Sequence, residues 1–180
     1  MAPETIVAGL ERVAAEMGAI EVLIYNVRGG MNAKPPLEMT FDEMRDIYEI
    51  EVVGAHAAAK AAIPAMIERG HGTVIYSSAT AALRGSGSNP LYAIGKFGLR
   101  ALSQSLAKAY ARHGVHVAHM RLDCGLDVPI VRQYMGDEYD PEFLSNTDDV
   151  ADSYLWVHRQ PKSAWSNEVE IRPYTEEWTF

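Results

Sequence analysis

The hydrophobic positions of this chain change period several times. Ile6, Leu10, Val13 and Met17 fall on one face of a helix, with Pro3 suited to its first turn and Gly18 to its exit. Glu21 to Tyr25 then reads as a short buried strand that ends at Asn26 and the Gly29-Gly30 turn, and the Pro35-Pro36 stretch from Met31 to Met39 reads as loop. Thr40-Phe-Asp-Glu43 is a capping-box sequence. It opens a long helical pattern through Met44, Ile47, Val52, Ala55, Ala59 and Ala62, which Pro64 should bend or end.

Gly70-His-Gly72 breaks the chain before a second strand, Thr73 to Tyr76. A polar loop from Ser77 to Pro90 leads into a second long helix, Leu91 to Arg112, and Val115 to Met120 forms a third strand. Beyond Cys124-Gly125 the chain is irregular and acidic until a helix from Asp148 to His158, with Asp148 or Thr147 as N-cap, and a last strand from Glu168 to Ile171. Strands that alternate with helices predict an α/β domain with a parallel sheet and helices on both faces.

Composition narrows the class. The 180 residues suit one domain with a core of its own, and 48% hydrophobic with 22% charged residues is a globular balance. Sixteen Lys and Arg against 24 Asp and Glu give a net charge of −8, which repels polyanions and argues against nucleic acid or an anionic membrane as partner. No apolar run in the sequence reaches the roughly 18 to 20 residues of a membrane span. One cysteine, Cys124, permits no intrachain disulfide and fits a reducing, cytoplasmic setting.

The strongest chemical signal is Tyr92 with Lys96. Four residues apart on a helix, they share a face, and an ammonium beside a phenol favours the phenolate and would lower its pKa. Such a pair can act as a general acid-base unit. Ser77-Ser78 closes the preceding strand, where parallel sheets form ligand crevices. His113, His116 and His119 do not form a metal set, because strand alternation sends His116 and His119 to opposite faces. Cys124 reads as a buried structural thiol, and Trp156, Trp165 and Trp178 with Tyr154 and Tyr174 read as core or subunit contacts.

The ordered set Leu23-Ile-Tyr-Asn26, Gly72-Thr-Val-Ile-Tyr-Ser-Ser78, Tyr92-Ala-Ile-Gly-Lys96, Val115-His-Val-Ala-His-Met120 and Gly125 resembles the short-chain dehydrogenase/reductase family. The helix Lys96 to Leu106 and the tail Pro161 to Trp165 and Ile171 to Tyr174 extend that resemblance over nearly the whole chain. The resemblance implies a three-layer Rossmann-like sheet and hydride transfer between NAD or NADP and a small carbonyl compound or secondary alcohol. Tyr92 would be the general acid-base, Lys96 would hold the nicotinamide ribose and lower the Tyr92 pKa, and Ser78 would orient the substrate, with Ser77 and Thr80 as substitutes. Asn26, Gly29 and Gly125 would lie near the cofactor. The resemblance also implies a homo-oligomer, a dimer or tetramer through the two long helices.

Four departures stand against this pattern. Glu51 occupies the place of the family's helix asparagine and could pair with Lys96; the alternative is a surface glutamate just outside the site. Val27-Arg28 replaces Ala-Gly, and Val128 replaces a threonine that bonds the nicotinamide carboxamide. The family's opening strand, T-G-x-x-x-G-x-G turn and helix, which receive the pyrophosphate, have no counterpart. Gly85-Ser-Gly87 lacks the third glycine. The resemblance therefore implies a single domain, residues 1–180, lacking the first βαβαβ half, roughly 60 residues or more. Such a chain would bind the dinucleotide weakly by itself. It would also expose strand Val22 to Tyr25 as an edge, which a second copy could cover. Two other readings remain: a non-catalytic interaction protein that keeps the fold, and cofactor-free chemistry like that of the resembling halohydrin dehalogenases, which Lys96 counts against.

Overall fold

The computed structural model describes residues 2–30 and 33–176. Trp178 and the start of the Met31 loop lie outside them. Four parallel strands form the central sheet in the order β1 (Val22–Tyr25), β2 (Gly72–Ala79), β3 (Val115–Leu122) and β6 (Glu168–Ile171). A two-residue parallel pair, β4 (Gly125–Leu126) and β5 (Leu144–Ser145), stands apart from it. Helices α1 (Pro3–Met17), α3 (Gly54–Arg69) and α4 (Pro90–Tyr110) cover one face, and α6 (Thr147–His158) covers the other.

The strands are buried because both faces are covered. Val74 and Tyr76 of β2 join Val115 and Val117 of β3 beneath α3 and α4, while Ile75, Ala118 and Met120 meet Val150, Tyr154 and Val157 of α6. Residues of opposite parity thus feed opposite layers, so no polar alternation shows in the sequence. The predicted α/β architecture with helices on both faces is the observed one.

Several boundaries differ from those expected. The Thr40 capping box is present, with the Thr40 hydroxyl accepting from the Glu43 N–H and the Glu43 carboxylate accepting from the Thr40 N–H. The helix it opens, α2 (Phe41–Tyr48), passes through a π-helical turn at Glu49–Val53 before continuing as α3. Pro64 does not end it, and α3 runs on to Arg69 and leaves through Gly70 in the left-handed region. On α1 only the first two turns of the apolar stripe are used: Ile6 and Leu10 pack on the core, whereas Met17 is 82% exposed. Asn146, rather than Thr147 or Asp148, caps α6. The acidic stretch after Gly125 contains α5 (Pro129–Met135) as well as the β4–β5 pair.

Phe41–Arg69 is, among the described residues, one helix long and apolar enough to cross a membrane, at a mean hydropathy of 1.3 over its most apolar stretch. The sequence pattern predicts no such span, because Glu51, His56 and Lys60 interrupt its apolar positions. Over half of that stretch is buried inside the fold, and it carries the buried Glu51. Among the described strands β1 has a neighbour on one side alone, and Ile24 is half exposed beside an apolar groove of about 440 Å3 shared with α6.

Candidate active site

The carboxyl ends of β1, β2 and β3 open into a cleft of about 730 Å3. Asn26 and Arg28 form one rim. Ser78 and Thr80 come from the end of β2, Tyr92 and Lys96 from the first turns of α4, and Asp123 to Gly125 from the end of β3. The local sequence explains this convergence. Pro90 starts α4 immediately after the loop, so Tyr92 and Lys96 sit one turn apart on the helix face that meets the strand ends. The Lys96 Nζ lies 5.5 Å from the centre of the Tyr92 ring.

Of the two adjacent serines, Ser77 is already engaged, because its Oγ accepts a hydrogen bond from the Tyr154 hydroxyl at 2.8 Å. Ser78 points to the other face of β2. Its Oγ is buried and has no hydrogen-bond partner among the described residues, although it belongs to a cleft-lining residue. An unmet buried hydroxyl is uncommon, and in a cleft-lining residue it has bonding capacity to spare. Thr80 is not free in that way, since its hydroxyl donates to the Asp123 carboxylate, which also pairs with Arg172 at 2.8 Å.

Lys96 is already engaged within the protein. Its ammonium is buried and bonded to Glu51 Oε2 at 2.8 Å, with the Ser77 carbonyl at 3.5 Å. Glu51 is therefore not a surface residue: it is fully buried and pairs with Lys96. Its other oxygen accepts the Gly29 N–H at 2.8 Å, so that amide is taken as well. Burial pushes the Lys96 pKa down, against the opposing pull of Glu51.

The Tyr92 pKa is raised rather than lowered. Burial dominates; Arg28 lowers it and Glu51 raises it again. The lowering expected from Lys96 is outweighed first by burial, and the ammonium's charge is also matched at close range by a carboxylate. Arg28, which stands where the family has glycine, brings a positive charge within electrostatic reach of Tyr92. Cys124 is half-buried at the cleft wall, its thiol pushed up by burial, and Gly125 is exposed on the rim. Val128 lines the cleft without a side-chain donor. Trp165 stacks on His116 and Tyr154 is buried, whereas Tyr174 is 83% exposed and donates to Glu142. Among the described residues no cluster of His, Cys, Asp and Glu could hold a metal.

Residues 1–125 match the family model described as short chain dehydrogenase. The chain belongs to the short-chain dehydrogenase family. It is 31% identical over 115 residues to the 3-oxoacyl-[acyl-carrier-protein] reductase FabG of Escherichia coli, a match covering 64% of this chain and 47% of that protein. The chain thus spans about half the length of that curated relative. A short-chain dehydrogenase from Rhodopseudomonas palustris superposes with a TM-score of 0.79 at 31% identity, over 96% of this chain and 71% of that one. A metagenomic short-chain oxidoreductase solved in complex with NADP superposes with a TM-score of 0.79 at 23% identity, over 97% and 71%, a likeness of fold.

Proposed function

We propose that this chain carries the catalytic part of an NAD(P)-dependent oxidoreductase acting on a small carbonyl compound or secondary alcohol. The observation that supports it best is the unpartnered, buried Oγ of Ser78, a residue that lines the same cleft as Tyr92. The cleft's volume falls in the range of small-molecule sites.

The residues at this end suit a nicotinamide and a substrate oxygen. Asn26 and Gly125 would flank the ring and its ribose, beside Tyr92. When bound, the nicotinamide supplies or accepts the hydride. Ser78 donates a hydrogen bond to the substrate oxygen and fixes its direction toward Tyr92. The Tyr92 phenol, protonated at neutral pH as any phenol is and held so by burial, gives its proton to that oxygen as negative charge develops in reduction. In alcohol oxidation the proton returns to Tyr92. Lys96 stands behind the phenol, already paired with Glu51. Val128 offers no donor to a carboxamide, so orientation of the ring rests on the cleft's backbone and shape.

The glycine-rich turn that would cradle a diphosphate is not among these 180 residues, which makes the affinity of this chain for the dinucleotide the quantity to measure. Titration with NADPH and with NADH, followed by melting temperature, tests the reading. A nucleotide at 100 times its Kd stabilises the fold by about 2.7 kcal/mol. A rise with either nucleotide supports the proposal, and no rise with both contradicts it.

A further inference from the structure

Glu51 is a fully buried carboxylate that does not line the cleft, yet it is bonded to Lys96, which does, and to the loop that carries the cleft residues Val27 and Arg28. One oxygen holds the Lys96 ammonium on α4, and the other holds the Gly29 N–H in the loop after β1, both at 2.8 Å. It sits in the middle of the π-helical turn Glu49–Val53, and such turns often mark functional positions in helices. Tyr25 steadies that turn by donating to the Ile50 carbonyl at 2.6 Å, an approach open because residue 54 is glycine.

The space for the carboxylate is also made by glycine. A Cβ at Gly95 would stand 2.8 Å from Glu51 Cγ, and one at Gly29 would stand 2.2 Å from Ile47 Cδ1, beside the Glu51 carboxylate. Two separate segments, the loop after β1 and α4, thus leave room beside one side chain.

We propose that Glu51 is a positioning residue that clamps the Lys96 ammonium to the loop after β1, so that the lysine's charge is withheld from Tyr92 and from cleft ligands while the clamp is closed. The catalytic consequence rests on the role proposed above for Tyr92; the clamp itself does not. A ligand hydroxyl seeking Lys96 must compete with a carboxylate already bonded to it, and any movement of the Gly29 loop loosens one hand of the clamp.

The other charged and titratable neighbours are few. Arg28 faces both Tyr92 and Lys96 from the β1 loop. Tyr25 faces Glu51 from β1, its hydroxyl pushed up to about 12 by burial and then by that carboxylate. His119 of β3 feels the Lys96 charge, and Asp123, Cys124 and Glu176 line the far wall of the cleft.

The test is an NMR titration of isotope-labelled tyrosine rings, with Tyr92 assigned from Tyr92→Phe, together with hydrogen exchange at the Gly29 amide. In Glu51→Gln the negative charge is gone, so Tyr92 titrates at lower pH than in the wild type. In Glu51→Asp the charge stays but the shorter side chain cannot span both partners, so Gly29 exchanges faster while Tyr92 moves less than in Glu51→Gln. A folded Glu51→Gln protein with Tyr92 unmoved overturns the proposal, and so does Glu51→Asp with Gly29 exchange unchanged, which keeps the idea testable if Glu51→Gln fails to fold. Neither readout needs nucleotide or turnover. If Tyr92 moves but the pH–rate profile of Glu51→Gln does not follow it, the role given to Tyr92 fails and the clamp stands.

Discussion

The Tyr154 hydroxyl of α6 donates to the Ser77 Oγ of β2 at 2.8 Å, both groups being buried. That bond sorts two neighbouring serines into different roles. Ser77 ties the sheet to α6, and Ser78, a cleft-lining residue, is left with a buried hydroxyl that has no partner among the described residues. Ser77→Ala strands the Tyr154 hydroxyl and is expected to destabilise the fold by about 1–3 kcal/mol in urea denaturation, with turnover little changed. Ser78→Ala removes a buried hydroxyl that has no partner, so it leaves stability unchanged or slightly higher. It also removes a donor to the substrate oxygen and is expected to lower kcat by roughly 100-fold or more.

The Glu51–Lys96 pair makes a prediction about stability that is separate from catalysis. Both side chains are almost wholly buried. Lys96→Met alone leaves a buried carboxylate without its cation and is expected to destabilise by about 3–5 kcal/mol. The double variant Glu51→Leu with Lys96→Met removes both charges and should recover most of that loss, because apolar replacements of a buried pair are commonly neutral or stabilising. A thermal melt of the single and double variants reads the difference.

His119 sets a pH dependence. Its ring is fully buried with neither nitrogen partnered among the described residues. Burial lowers its pKa from 6.5 to about 4; Arg100, Arg121 and Lys96 press the same way and Glu168 opposes them. The folded pKa lies below the unfolded one, so the neutral ring's contribution is fully present above about pH 6.5 and is lost as pH falls toward 4. The loss is on the order of 3 kcal/mol across that window. Urea midpoints measured from neutral to acid pH should fall accordingly, and His119→Phe should flatten the curve.

Tyr92 gives a direction to the rates. Its pKa is raised above the ordinary phenol value of 10.0, chiefly by burial. Carbonyl reduction, which uses the phenol, should be flat through neutral pH. Alcohol oxidation, which uses the phenolate, should keep rising with pH through the whole alkaline range in which the fold survives.

Much of this was legible locally. The Thr40–Glu43 capping box, the helix placing Tyr92 and Lys96 on one face, and the strand Glu168 to Ile171 all depend on spacing within a few residues, and the structure keeps them. Strand phase could have separated the serines too, since Ser78 shares parity with Val74 and Tyr76 and Ser77 with Ile75. The π-helical turn was not legible, because its cause is tertiary: the Tyr25 hydroxyl takes a carbonyl, and Gly29, Gly54 and Gly95 leave room. Without that turn nothing in the sequence decided whether Glu51 met Lys96 or solvent. The short α5 and β4–β5 elements carry too few residues for any periodicity to show.

The most direct measurement is hydride transfer itself, followed as the oxidation of NADPH or NADH by the purified chain against a panel of small ketones and aldehydes, in the wild type and in Tyr92→Phe. The account predicts turnover with at least one carbonyl compound and its loss in a Tyr92→Phe protein that melts like the wild type. Turnover that survives in Tyr92→Phe, or no oxidation of either nucleotide with any carbonyl compound, would contradict it.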